Sequence, residues 1–95
     1  MAAYLIADQQ ATDQALFEEF AGKMLEFVLA NNGKYLARGG ATEVVAGERK
    51  PNRVVVIEFE SYEQLRALVH SPEYQELGEL RSRCCIANTI IVDSV

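Results

Sequence analysis

Apolar residues run without a break from Ala3 to Ala7 and stop at Asp8-Gln9-Gln10, a length and a boundary that predict a buried strand. Thr12-Asp13 then offers side-chain oxygens for a helix N-cap. Leu16, Phe17, Phe20, Met24, Phe27 and Val28 follow at helical spacing as far as Asn32-Gly33, which predicts a long amphipathic helix with a glycine stop. Lys34 to Arg38 reads as a second strand. Gly39-Gly40 interrupts it before Thr42 to Ala46 resumes extended character, the appearance of a bulged and bent strand. The polar stretch from Gly47 to Asn52 reads as a hairpin loop, and Arg53 to Phe59, with four consecutive β-branched residues, is the strongest strand in the chain. Ser61 and Gln64 form a capping-box pattern opening a short helix with Leu65, Leu68 and Val69 on one face. Ser71-Pro72 starts a second segment through Tyr74, Leu77 and Leu80 towards Arg83, and Ile86 to Val95 closes the chain as a strand.

The order strand, helix, strand, strand, helix, strand is that of the ferredoxin-like α+β sandwich, in which both helical layers cover one face of a four-stranded antiparallel sheet. Val54, Val55, Val56 and Ile57 are apolar at successive positions, as are Ile90, Ile91 and Val92, so both faces of the sheet favour burial. Helices on one side leave the second face open, and a sheet-on-sheet homodimer is its simplest cover.

Ninety-five residues suffice for a single domain, residues 1–95, with one small core. A formal charge of −5, with Lys and Arg scattered along the chain, argues against nucleic acid and anionic membrane surfaces as partners. Cys84 and Cys85 are adjacent, a spacing poorly suited to a disulfide, and the start of the chain has neither a basic leader region nor a membrane-length apolar run; a cytoplasmic protein is the expectation.

Tyr35-Leu-Ala-Arg-Gly-Gly40, Pro51-Asn-Arg-Val-Val-Val-Ile-Glu-Phe59 and Ser71-Pro-Glu-Tyr-Gln75, in this order and spacing, resemble the bacterial family called domain of unknown function 1330. The resemblance spans nearly the whole chain. It implies the dimeric α+β barrel superfamily, in which two ferredoxin-like sheets pack face to face and whose members include cofactor-free monooxygenases, isomerases and some haem enzymes. It also implies an aromatic residue, commonly tyrosine, where this chain has His70.

Several residues carry candidate chemistry. Arg38, before the glycine pair Gly39-Gly40, would clamp a carboxylate with its guanidinium fork; alternatively it forms a structural ion pair with Glu58 on the neighbouring strand. Glu58 would serve as a general base if burial raised its pKa, and otherwise is a solvated strand-end carboxylate. His70 is the only histidine and the natural proton carrier near neutrality, while a helix C-terminus favours the same residue on electrostatic grounds alone. Tyr4 and Tyr74 would line a pocket and hydrogen-bond a substrate oxygen, or simply pack in the core. No metal-ligand spacing is present, and no cofactor is expected, although a haem ligand would need only His70. The functions these residues suggest are a cofactor-free enzyme acting on a small organic acid or oxidised metabolite in a pocket between sheet and helices, and a non-catalytic small-molecule-binding or assembly module. The expected ligand is a small anionic metabolite.

Overall fold

A computed structural model describes the whole chain, Met1–Val95. Its elements are β1 (Ala3–Ala11), α1 (Gln14–Ala30), β2 (Lys34–Arg38), β3 (Arg53–Phe59), α2 (Tyr62–Val69), α3 (Pro72–Cys84) and β4 (Cys85–Asp93). The strands form one antiparallel sheet in the order β2-β3-β1-β4, so the long β1 and the valine-rich β3 occupy its centre. This is the ferredoxin-like arrangement.

Alternation assigns the two faces. Ala3, Leu5 and Ala7 of β1 and Val55, Ile57 and Phe59 of β3 are buried beneath the helices, where they meet Phe17, Phe20, Met24 and Val28 of α1, Leu65 of α2 and Tyr74 of α3. The intervening residues face away from the helices. On β4 the outward set stays open, with Ile86 and Ile90 each 60% exposed and Val92 40% exposed.

The helix ends follow their capping chemistry. The Asp13 carboxylate accepts from the Leu16 amide at 3.1 Å, and the Ser61 hydroxyl accepts from the Gln64 amide at 3.1 Å. The Gln64 side chain reaches back to the Glu60 amide, also at 3.1 Å, completing a near capping box. Ser71 caps α3 while its hydroxyl donates to the Leu68 carbonyl at 2.6 Å, fixing the angle between α2 and α3.

Three expectations are corrected. β1 runs to Ala11, past the polar triplet that marked its end, because the pairing of Gln9 with Arg53 and Ala87 outweighs local polarity. The left-handed residue that stops α1 is Asn32 (φ 60°), not Gly33; Gly33 is needed for close packing beneath it. The bulge in β2 lies at Leu36, between Tyr35 and Ala37, and not at Gly39-Gly40. Gly39 instead ends the strand in the left-handed region (φ 73°) with its amide on the Val54 carbonyl at 2.9 Å, and Thr42–Ala46 form exposed loop rather than strand.

Candidate functional site: a cationic pocket between sheet and helices

The bulge at Leu36 has a direct effect on β2. Tyr35 pairs with Ile57 and Arg38 with Val55, so two residues three positions apart both point beneath the helices, whereas an unbulged strand would turn them to opposite faces. They enter a pocket floored by Leu5, Ala7, Val55 and Ile57 and roofed by α1, through Phe17, Phe20, Ala21 and Met24. Its polar lining comes from Gln9, Tyr35, Arg38, Arg53, Tyr74, Arg81 and Thr89. The cavity is narrow, about 30 Å³, and opens to solvent on one side. That is room for one or two waters.

Three guanidinium groups therefore share a mostly apolar cleft that has no Asp, Glu or His in its lining. None of them has a carboxylate within ion-pair distance; the one salt bridge in the chain joins Lys23 to Glu19 at 4.0 Å on the surface of α1. Each arginine rests on an aromatic ring instead. The Arg38 guanidinium carbon lies 4.7 Å from the Tyr35 ring centroid, that of Arg53 5.4 Å from Phe17, and that of Arg81 5.6 Å from Tyr74. Such stacking holds a cation in place without neutralising it. Arg53 also donates to the Gln9 side-chain oxygen at 2.7 Å, and Arg81 to the Tyr74 hydroxyl at 3.0 Å. Gln9 is the only polar residue in the buried set, and this bond satisfies it.

The charge state follows from these surroundings. Burial, and then the neighbouring charge of Arg38, pull the pKa of Arg53 below its ordinary value, with Tyr35 opposing them; a guanidinium nevertheless remains a cation at neutral pH. Burial pushes the Tyr35 phenol up although Arg38 and Arg53 pull it down, so its hydroxyl is a donor at neutrality. Burial also raises both adjacent cysteines, leaving buried thiols rather than reactive thiolates.

The residues singled out from sequence fall in different places. Arg38 and Tyr74 line the pocket together. Glu58 lies on the opposite, open face of the sheet, flanked by Tyr4 on β1 and Lys34 on β2. Arg38 therefore makes no ion pair with Glu58, because the two project from opposite sides of the sheet. His70 caps the C-terminus of α2 and borders a shallow surface groove with Glu63, Arg66 and Ala67, away from the pocket. No group of three His, Cys, Asp or Glu side chains comes together anywhere in the chain.

Of the glycine pair, Gly40 faces open space, whereas a Cβ on Gly39 would lie 2.7 Å from the Arg53 Nε. Gly39→Ala is expected to cost about 1–2 kcal/mol through its left-handed backbone and to push Arg53 off Gln9. Gly40→Ala should leave the melting temperature unchanged; equal melting of the two variants would contradict this role.

Gln9, Tyr35 and Arg53 were not singled out from the sequence. Their signal was parity. Gln9 continues the inward series Ala3, Leu5, Ala7, and Arg53 precedes the inward series Val55, Ile57, Phe59.

An antiparallel sheet ordered β2-β3-β1-β4, covered by helices on one face and enclosing a cationic pocket, defines a ferredoxin-like α+β domain. The chain belongs to the family described as domain of unknown function (DUF1330), whose pattern matches residues 2–95. Among solved structures it is similar to a protein of unknown function from Rhodopseudomonas palustris, at 11% identity and a TM-score of 0.75 over 99% of this chain and 82% of that one. It is also similar to SnoaB, a cofactor-independent oxygenase from Streptomyces nogalater, at 10% identity and a TM-score of 0.66 over 99% and 93% of the two chains. A dimeric protein of unknown function and ferredoxin-like fold from Bacteroides fragilis aligns at 10% identity and a TM-score of 0.63 over 98% and 96%. At these identities the likeness is one of fold. No curated protein matches the sequence. No helix is long and apolar enough to cross a membrane.

Proposed function

We propose that this protein binds a small organic anion in the pocket between sheet and helices and, as a homodimer, acts on it as a cofactor-free enzyme. The observation that carries the reading is the trio Arg38, Arg53 and Arg81, cations without carboxylate partners lining an apolar cleft in a chain whose formal charge is −5. Guanidinium forks hydrogen-bond carboxylate or enolate oxygens in pairs, and in a mostly apolar cleft those bonds are stronger than in open water. A substrate held there has its conjugate base stabilised by the same charges, and the Tyr35 and Tyr74 hydroxyls supply further donors. The fold likeness to a cofactor-independent oxygenase supports an enzymatic role. Glu58 and His70 keep a part in proton transfer only where a substrate or a second subunit reaches them.

The second reading, a ligand-binding module without turnover, is favoured by the absence of Asp, Glu and His from the pocket lining. Homodimerisation is supported by the open sheet face, where Ile86, Ile90 and Val92 are exposed beside the half-buried Tyr4, Ile6, Val54 and Val56, and by the dimeric relative of like fold. The buried, free thiols of Cys84 and Cys85 suit a reducing compartment such as the cytoplasm.

Thermal denaturation against a panel of organic acids tests the binding. A ligand at 100 times its Kd adds about 2.7 kcal/mol, a rise of roughly 10 °C or more for a domain of this size. The rise is expected to disappear in Arg38→Ala. No rise with any acid, or the same rise in Arg38→Ala, would remove the reading. Chemical change of the stabilising acid in aerobic incubation separates the enzyme from the binding module.

A further inference from the structure

We infer that residues 39–52, the connection from β2 to β3, form an arm that docks on a second copy of this chain and completes an interface begun by the open sheet face. This rests on the homodimer reading and names the segment, beyond the sheet, that holds the two copies together.

The connection is far longer than its task. β2 and β3 are antiparallel neighbours, and such neighbours are commonly joined by about two to five residues, whereas a much longer loop is usually a binding element. Thr42, Val44 and Val45 are β-branched, which is why residues 42–46 read as strand, yet they lie exposed. No hydrogen bond within the chain holds any residue from 40 to 51. Val44 is 41% and Val45 89% exposed. Both the valines and the strand preference of this segment are left without a partner in a single chain.

Two features direct the arm to a second copy rather than back over the arginine-lined pocket. The Asn52 amide donates to the Asp8 carboxylate at 2.9 Å, and Asp8 follows Tyr4 and Ile6 in the series that faces away from the helices. The connection is thereby fastened on the open-face side of the sheet, next to Val54, while the pocket lies beneath the helices. Its charges also cancel, Glu43 and Glu48 against Arg49 and Lys50, so it approaches another copy of a chain of formal charge −5 without repulsion.

The sheet face by itself is small for the purpose. Strands of nine, five, seven and nine residues turn every second side chain outward, roughly fifteen in all, whereas a stable interface draws roughly 20–30 residues from each side. The arm supplies the remainder, and two-fold symmetry applies it twice. On the second copy, Ile86 and Ile90 of the outer strand β4, each 60% exposed, are the apolar side chains of that face most in need of cover.

The test places the photo-cross-linker p-benzoylphenylalanine at position 45 of the full chain and irradiates it at tens of micromolar. A covalent dimer on a denaturing gel is expected, while the same group at Leu29, exposed on α1 on the helical side, is expected to leave monomer. Val45→Asp is expected to weaken pairing about tenfold or more in sedimentation, the loss counting once from each subunit. Its melting temperature as a dilute monomer should match that of the natural chain, because Val45 stands almost free of its own chain. Cross-links from position 45 confined to its own chain, or pairing of Val45→Asp as tight as that of the natural chain, would overturn the arm and leave the sheet-face dimer standing. A natural chain that sediments as a monomer throughout would overturn both readings.

Discussion

Ile90→Asp is expected to abolish the proposed homodimer, leaving a monomer at concentrations where the natural chain is expected to pair. Ile90 is 60% exposed in the isolated chain and sits on the outer strand β4 opposite Ile6 of the central β1, so its side chain stands on the open face. Burying an isoleucine side chain contributes about 1.5–3 kcal/mol. A closed two-fold interface places each substitution twice, once from each subunit. An unpaired carboxylate in the same place adds its own desolvation cost, so a total loss above about 4 kcal/mol, or a thousandfold in the dimer constant, is the expected scale. Sedimentation velocity reads the result. Ile90→Val should remain a dimer. The assembly proposal fails if the natural chain sediments as a monomer at tens of micromolar, or if Ile90→Asp sediments with the natural chain as a dimer. The arginine-lined pocket lies on the other face of the sheet, so the monomeric variant serves as a check on whether the proposed ligand binding depends on the assembly.

Gly33→Ala is expected to destabilise the fold by about 2–3 kcal/mol, lowering the melting temperature by roughly 10–20 °C. A Cβ at this position would meet the Val28 Cγ1 at 2.7 Å and the Phe59 Cε1 at 2.8 Å. Val28 is 0% and Phe59 2% exposed, and neither is the free end of a flexible chain. The Gly33 amide also donates to the Val28 carbonyl at 2.8 Å, closing the end of α1, so the backbone cannot shift away without giving up that bond. Gly22, within α1, is the matched control. A Cβ there meets nothing within 4 Å, and Gly22→Ala is expected to stabilise by about 0.5–1 kcal/mol through helix propensity. Similar melting of the two variants would show that Gly33 is not held by packing.

The contrast between these glycines marks how far local reading of the chain extends. Gly33 was legible as a helix stop from its position after Asn32, but the residue that turns the chain is Asn32, and the reason for a glycine next to it is the proximity of Phe59 from another element. The polar triplet Asp8-Gln9-Gln10 misled for a related reason. A buried glutamine is tolerated only where a partner meets it, and Arg53, the partner of Gln9, is separated from it by two elements of chain. Arg38 was legible as a pocket residue beside a bulge. The position of the bulge was not, because Gly39-Gly40 drew attention to itself while the extra residue in the ladder was the ordinary Leu36.

The sequence by itself determined the order of elements, the N-caps of all three helices and the apolar content of both sheet faces. Each depends on neighbours within a turn of helix or on strand alternation, and so is written in short spacings. Only the tertiary structure decided which charged residues share a space. Arg38, Arg53 and Arg81 come from two strands and a helix, and they converge because β2 pairs with β3 and α3 packs against α1 above the same sheet. The same folding sends Glu58 through to the far face and leaves His70 at the outer end of α2. Strand register fixes on which side of a sheet a charge emerges, and register is settled by pairing between distant segments rather than by the residues on either side.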